Sequence, residues 1–186
     1  MDVTRRDLLQ QGLGSITVLG FSLLKIPGLQ QVCEAATAEK IAEIPVVWMA
    51  AGSCSGCSIS LLNCASPNIQ EVLLEKVVPG MHLSLGFHAT VMASAGEMAM
   101  EALNKLVAKN KGKYILVVDG AIATKDDGLY CVIGEVQGKP ITAYEHVRDL
   151  GREAMAVLSV GACAAFGGIP AADPNPTGAV SVGEVF

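Results

Sequence analysis

Aromatic residues make up only 4% of this 186-residue chain, too few for a surface on which nucleic-acid bases would stack. The formal net charge is −5, so the positive field that holds a phosphate backbone is missing as well, and no nucleic-acid partner is expected. There is no run of about 20 apolar residues to span a bilayer, although hydrophobic residues form 51% of the sequence. The chain contains no G-x-G-x-x-G to cradle a phosphate, and no nucleophile–base set stands out. It lacks the second close-spaced Cys or His pair that a structural zinc site ordinarily uses. What it has is a length suited to one domain with a sizeable core, together with 20 glycines and 6 cysteines.

The first 38 residues read as a targeting segment. Arg5 and Arg6 form a twin-arginine pair after Thr4, and Leu13 to Leu24 make a modest apolar region broken by Gly14, Ser15 and Gly20. Pro27 and Gly28 follow, and Ala-Thr-Ala at 36–38 offers small residues for cleavage. This order of parts predicts a twin-arginine (Tat) signal peptide over 1–38, and with it a periplasmic location or one at the periplasmic face of the membrane. Leu8 and Gln10 depart from the commonest residues of such leaders. Because the Tat route carries folded proteins, it implies a cofactor inserted before export.

Residues 39–186 alternate between strand-like and helix-like segments. Apolar runs at 45–50, 113–120 and 154–161 and an alternating run at 81–87 predict strands. The segment 67–78, with Pro67 at its start, predicts a helix. So does 94–110, where Met98, Ala102 and Leu106 recur at helical spacing. Residues 144–151 predict a third helix ended by Gly151, and 167–178 is a loop rich in Gly and Pro. Continuous apolar strands separated by helices predict an α/β domain, a doubly wound parallel sheet of flavodoxin-like order covered on both faces. The last residues, "TGAVSVGEVF", look like the opening of a helix. The expectation is therefore a sheet truncated before its last strand, in the N-terminal portion of a longer protein.

Cysteines occur at 33, 54, 57, 64, 131 and 163. Five remain after cleavage at Ala38, an odd count that intramolecular disulfides cannot all absorb. Cys54 and Cys57 form a C-x-x-C after the first strand, and Cys163 follows the 154–161 strand. In flavodoxin-like order one strand lies between these two, a gap of about 10 Å. Loops built from Gly52, Gly56 and Gly161 can close that gap and bring the three thiols together. Spacing alone leaves three readings open. One is an iron–sulfur cluster, which as a rule needs four thiolates. Another is a thioredoxin-like dithiol of Cys54 and Cys57, the basis of a thiol–disulfide oxidoreductase, which leaves Cys163 idle. The third is zinc, short of ligands.

Five ordered segments carry more information. "GSCSGCSISLLN" (52–63), "FHATVMASAGE" (87–97), "GLYCVIGE" (128–135), "GACAAFGGIPAA" (161–172) and "NPTG" (175–178) together resemble the small subunit of a nickel–iron hydrogenase. "CSISLLN" and "GLYCVIGE" are most similar to the nickel–iron–selenium branch. The resemblance covers 45–186, with the twin-arginine leader in front. It implies an electron-transfer subunit that binds a proximal 4Fe–4S cluster beside a large subunit, the partner whose nickel and iron act on dihydrogen, and that serves an acceptor such as a cytochrome. By motif, Cys54, Cys57 and Cys163 match three proximal ligands. The family's fourth ligand lies in a Gly-Cys-Pro-Pro motif that this sequence lacks, as it lacks the domain for the medial and distal clusters. A non-catalytic truncated fragment is therefore an alternative. Cys64 and Cys131 match no ligand position. Oxygen-tolerant members carry two further cysteines where this chain has Gly56 and Gly168, so the resemblance implies an ordinary 4Fe–4S cluster.

The remaining polar candidates have plainer readings. Cys131 is expected to be a buried structural thiol and Cys64 a packed or partly exposed one. His88 is expected to be a hydrogen-bonded structural or subunit-contact histidine. His82 and His146 carry no motif. Glu97 and Glu101 lie one turn apart on what reads as a solvated helix face.

Overall fold

A computed structural model describes residues 42–74 and 81–186. The leader assigned to 1–38 lies outside the described residues. Four parallel strands form the central sheet in the order β2-β1-β3-β7. They are β1 (Ala42–Ala50), β2 (Met81–His88), β3 (Ile115–Asp119) and β7 (Ala156–Val160). This is the flavodoxin-like order, with β3 between β1 and β7 as the sequence predicts.

Alternation along the strands sorts their side chains onto two faces. Val47 and Met49 of β1 join Leu116 and Val118 of β3 in the main core. Two helices cover that face: α3 (Gly96–Lys109), through Leu103 and Val107, and α4 (Ala143–Glu153), through Val147 and Leu150. The opposite face is thinner. Val46, Trp48 and Val117 are buried there with Leu61, Leu83 and Leu85 partly buried against them. Its cover is α1 (Gly56–Leu62) and α2 (Ile69–Leu74), and a cavity of about 360 Å³ remains beneath them. At β7 this face is open, since Ala156 and Leu158 are exposed. Burial on both faces therefore holds for β1 and β3 but not for β7 among the described residues.

Several local expectations change. The buried stripe of α3 is Ala99, Met100, Leu103 and Val107, one position on from the face read in the sequence. Met98 is 71% exposed, and Glu101 pairs with Lys105 at 2.7 Å on the solvent side. Helix α2 begins at Ile69 rather than at Pro67, because Asn68 caps it. The Asn68 side chain accepts from the Glu71 backbone, and Glu71 accepts in return from the Asn68 backbone, a reciprocal box that outcompetes proline as a start. Gly151 lies inside α4 rather than ending it. It serves packing there, for a Cβ at that position would fall 2.2 Å from the Phe186 ring. The final segment does not open as a helix. Ala179–Val180 form β8, antiparallel to β4 (Ile122–Ala123), and only then does a 3₁₀ turn, Val182–Val185, start in a Ser181–Glu184 capping box. The hairpin β5 (Val132–Val136) and β6 (Lys139–Thr142) has no counterpart in the sequence reading. Its two-residue turn, Gln137-Gly138, has positive φ at both positions, the geometry that matches strand twist. Beyond it Thr142 caps α4, its hydroxyl accepting from the Glu145 backbone.

Two contacts hold this frame, one at each end of β3. Tyr114, fully buried at the start of β3, donates its hydroxyl to the Leu150 carbonyl of α4. Gly120, just past β3, has φ +98, and a Cβ on it would lie 2.6 Å from the backbone of both Gly52 and Ser53. The loop after β1 can therefore lie on the turn after β3 only while residue 120 is glycine.

Tyr114→Phe is expected to lower stability by about 1 kcal/mol through the orphaned carbonyl. Burial, and then the Glu153 charge, push the Tyr114 hydroxyl up to about 12 from an ordinary value of 10.0. The unfolded chain thus releases this proton first. The contribution to stability is complete below pH 10 and fades as pH rises towards 12. Denaturant titrations at about pH 9 and about pH 11 should show that fall in the parent and not in Tyr114→Phe. Gly120→Ala adds a backbone clash to a strained φ and should lose clearly more than the roughly 1–3 kcal/mol of strain alone. Gly112→Ala is the control, since that glycine has φ +71 with nothing within 4 Å of its Cβ position. Equal melting temperatures for the two variants would show that the close approach carries no weight.

Candidate functional site

The parallel register brings the carboxyl ends of three strands into one row. Ala50 pairs with Asp119, and Asp119 pairs with Val160. Every residue that emerges from this edge therefore begins within one strand spacing of its neighbour. The chain leaving β1 is pinned at once, as the Ala51 N–H donates to the Asp119 carbonyl at 2.8 Å and the Gly52 N–H to the Ala121 carbonyl at 3.0 Å. Cys54 lies in this loop. Ser55, at φ +65, turns the chain into α1, which carries Cys57 in its first turn. The chain leaving β7 enters α5 (Gly161–Phe166), which carries Cys163.

The structure brings the three predicted cysteines together. A Cβ at Gly161 would sit 2.3 Å from Cys57 Sγ, so the sulfur from α1 lies directly on the first residue of α5. A Cβ at Gly168 would sit 2.9 Å from Cys163 Sγ, and one at Gly56 would sit 3.2 Å from Cys54 Sγ. Each sulfur thus has a glycine beside it where a side chain would intrude. Cys54 is exposed, Cys57 and Cys163 are partly buried, and all three are free thiols. Burial raises the Cys57 thiol above its ordinary value first of all, followed by the charge and hydrogen bond of Asp119 and by the charges of Cys54 and Cys163. Cys54 and Cys163 therefore lie close enough to act on Cys57, and thiol ligands give up their protons when a metal centre binds. Soft sulfur donors on this scale are what an iron–sulfur core takes up. Among the described residues, no three His, Cys, Asp or Glu side chains close on a single-ion position. A thioredoxin-like dithiol of Cys54 and Cys57 would leave Cys163, whose charge acts on Cys57, without a role.

Other expectations fall out as follows. Cys131 is only partly buried, at the base of the β5–β6 hairpin, where burial raises its thiol. Cys64 is exposed beyond α1. Neither is among the groups that act on Cys57. His88 is buried and structural as expected. Its ring stacks on Trp48 at 4.9 Å, its Nδ1 accepts from the Thr90 N–H, and burial lowers its pKa. His82 is partly buried and Glu97 is exposed.

Two residues that sequence reasoning missed stand at the centre. Asp119 is 3% exposed and Ser58 is 1% exposed, with the Ser58 hydroxyl 3.4 Å from Asp119 Oδ2. The signal was present as Asp-Gly at the end of an apolar strand, but that pair reads first as a turn. Around the cysteines the surface is apolar and uncovered: Phe166 and Ile169, flanking the loop after Cys163, are 83% and 89% exposed, and Ile59 beside Cys57 is 54% exposed.

Comparison with known proteins agrees with this picture. The family described as "NADH ubiquinone oxidoreductase, 20 Kd subunit" matches residues 54–185. The periplasmic [NiFeSe] hydrogenase small subunit of Desulfomicrobium baculatum is 39% identical over 100% of this chain and 58% of its own length. The hydrogenase-2 small chain of Escherichia coli K12 is 36% identical over 99% of this chain and 45% of its own. The crystal structure of a reduced, active form of the Ni-Fe-Se hydrogenase from Desulfomicrobium baculatum superposes with a TM-score of 0.71 at 44% identity, covering 77% of this chain and 51% of that one. The recombinant [NiFeSe] hydrogenase of Desulfovibrio vulgaris Hildenborough gives 0.71 at 42% identity, over 80% and 50%. The chain spans about half the length of the relatives it matches. On the match across 54–185, the chain belongs to the family of the NADH ubiquinone oxidoreductase 20 Kd subunit, and within its reach it resembles nickel–iron and nickel–iron–selenium hydrogenase small subunits.

Proposed function

We propose that this chain is the electron-transfer portion of a hydrogenase small subunit, working with a large subunit that carries the nickel–iron site. The observation that carries this reading is the convergence of Cys54, Cys57 and Cys163 at one sheet edge, each sulfur backed by a glycine that leaves room beside it. A 4Fe–4S cluster held by these three cysteines would supply uptake and release of single electrons. The chain's own residues do the rest. Gly56, Gly161 and Gly168 keep side chains away from the sulfurs and let backbone come close. Gly168 has φ +53 and a Cβ position 2.9 Å from Cys163 Cα, so this loop has no space for an additional cysteine ligand. That supports the ordinary cluster type over the oxygen-tolerant one.

Phe166, Ile169 and Ile59 form the uncovered apolar surface beside these cysteines, the kind of surface a large partner covers. The large subunit is the proposed occupant, because an electron must reach the site without crossing water. The fourth ligand belongs to the Gly-Cys-Pro-Pro motif of the family. The twin-arginine pair Arg5–Arg6 supports export of the loaded protein to the periplasm, where the electron acceptor, such as a cytochrome, would meet it.

Iron and acid-labile sulfide analysis of protein purified anaerobically with its large subunit tests this. Cys54→Ser, Cys57→Ser and Cys163→Ser should each lose most of the iron, whereas Cys64→Ser and Cys131→Ser should keep it. A parent protein with no iron and a reversible Cys54–Cys57 disulfide would replace the cluster reading with a thiol–disulfide oxidoreductase. A folded, iron-loaded chain that never recruits a large subunit would not be a working hydrogenase component.

A further inference from the structure

The cysteine ligands leave one buried charge unexplained. Asp119 is 3% exposed, and among the described residues no lysine or arginine pairs with it. Burying a carboxylate without a counter-ion is unfavourable. Packing does not require it, because the contact that pins the neighbouring loop uses the Asp119 backbone carbonyl and not its side chain. The carboxylate instead faces Cys57 on one side and the Ser58 hydroxyl on the other. Ser58 is itself sealed from solvent at 1% exposure in the first turn of α1. His88 also lies within reach of the Asp119 charge, which pulls its pKa up, but burial outweighs this and lowers it. The Asp119 carboxylate is therefore held beside Cys57, the cysteine of α1 whose sulfur lies on the first residue of α5.

We propose that Asp119, anchored by Ser58, is a positioning residue whose fixed negative charge lowers the reduction potential of the centre bound at Cys54, Cys57 and Cys163. This rests on the cluster reading of the same site. Adding one electron to a centre next to an uncompensated negative charge is opposed by Coulomb repulsion, and low local dielectric strengthens that opposition. The electron arrives from the partner subunit and leaves to the next acceptor. No bond forms or breaks at Asp119.

The test is a mediated redox titration, followed by electron paramagnetic resonance, of the anaerobically purified complex with its large subunit. Asp119→Asn keeps the shape and removes the charge, and it should raise the midpoint potential at unchanged iron content. Asp119→Glu restores the charge and should bring the midpoint back towards the parent. Ser58→Ala keeps the carboxylate but frees it from its anchor, and it should raise the midpoint by less. An unmoved midpoint in Asp119→Asn at full iron content overturns the proposal and leaves the cluster reading standing. Loss of iron in Asp119→Asn with retention in Asp119→Glu overturns it too, by making the carboxylate a ligand. If neither Asp119 variant folds, an unmoved midpoint in Ser58→Ala overturns it. Absence of iron from the unsubstituted complex removes the cluster reading and this proposal together.

Discussion

The pairing of β3 with β1 on one side and β7 on the other governs where the site can be. Registers Ala50–Asp119 and Asp119–Val160 end three strands in one row, and parallel strands direct all three following loops to the same edge. Cysteines 106 positions apart in the chain, at 57 and 163, therefore meet without any long excursion. The apolar alternation that buries Val47, Met49, Leu116 and Val118 also sets this register. A slip of one residue would turn those side chains out of the core, so the core energy and the site geometry are one constraint. The glycines act at the next level. Gly120 allows the first loop to lie on the second, and Gly161 allows Cys57 Sγ to lie on α5.

Charge follows from that geometry. Three thiols and a carboxylate brought to one edge raise the Cys57 thiol by burial and mutual repulsion. A site that repels its own anions is suited to a cationic core, because binding removes the repulsion that folding built in. A thiol–disulfide exchanger would use Cys54 and Cys57 and leave the third cysteine, which acts on Cys57, without a part. Helix α1 does not reverse the rise at Cys57. Its first turn, Gly56 to Ile59, presents Cys57 to Asp119 and carries no basic side chain to offset the carboxylate.

How much of this was legible depended on the range of the interaction. Strands 81–88, 115–119 and 156–160 and helix α3 were readable because apolar periodicity is local. The strand order and the Cys54–Cys57–Cys163 grouping were readable because parallel sheets offer few topologies. The stripe of α3 was misplaced by one residue. Ala99 and Leu103 were available alongside Met98 and Ala102, and only the sheet decides which set faces it. Pro67 is a local start signal, but the Asn68–Glu71 box, also local, sets the start at Ile69. Gly151 was read as a stop, although the Phe186 ring that occupies its empty side lies 35 positions away in the chain. Asp119 was missed for the same kind of reason: its turn role is local, while its partners Ser58 and Cys57 come from another strand–helix junction.

The unequal covering of the two sheet faces bears on how such a site would be used. The face under α3 and α4 is a packed core, and Tyr114 ties it to α4 through Leu150. The face under α1 and α2 keeps a cavity of about 360 Å³, lined by Trp48, His88 and Ser58 among others. It ends at an exposed Leu158, 54% open to solvent. Phe166 and Ile169 continue apolar exposure beside Cys163. A redox centre exchanging electrons with a partner needs short paths and excluded water on one side and rigidity on the other. The rigid side here is the one that holds the strand ends in register. The cysteines sit at the carboxyl edge between the two faces, so a subunit docking on Phe166 and Ile169 there would dry the sulfurs at the same time. Drying would strengthen the interactions between charges at that edge, most where water still reaches it, at the exposed Cys54 rather than at the already buried Asp119.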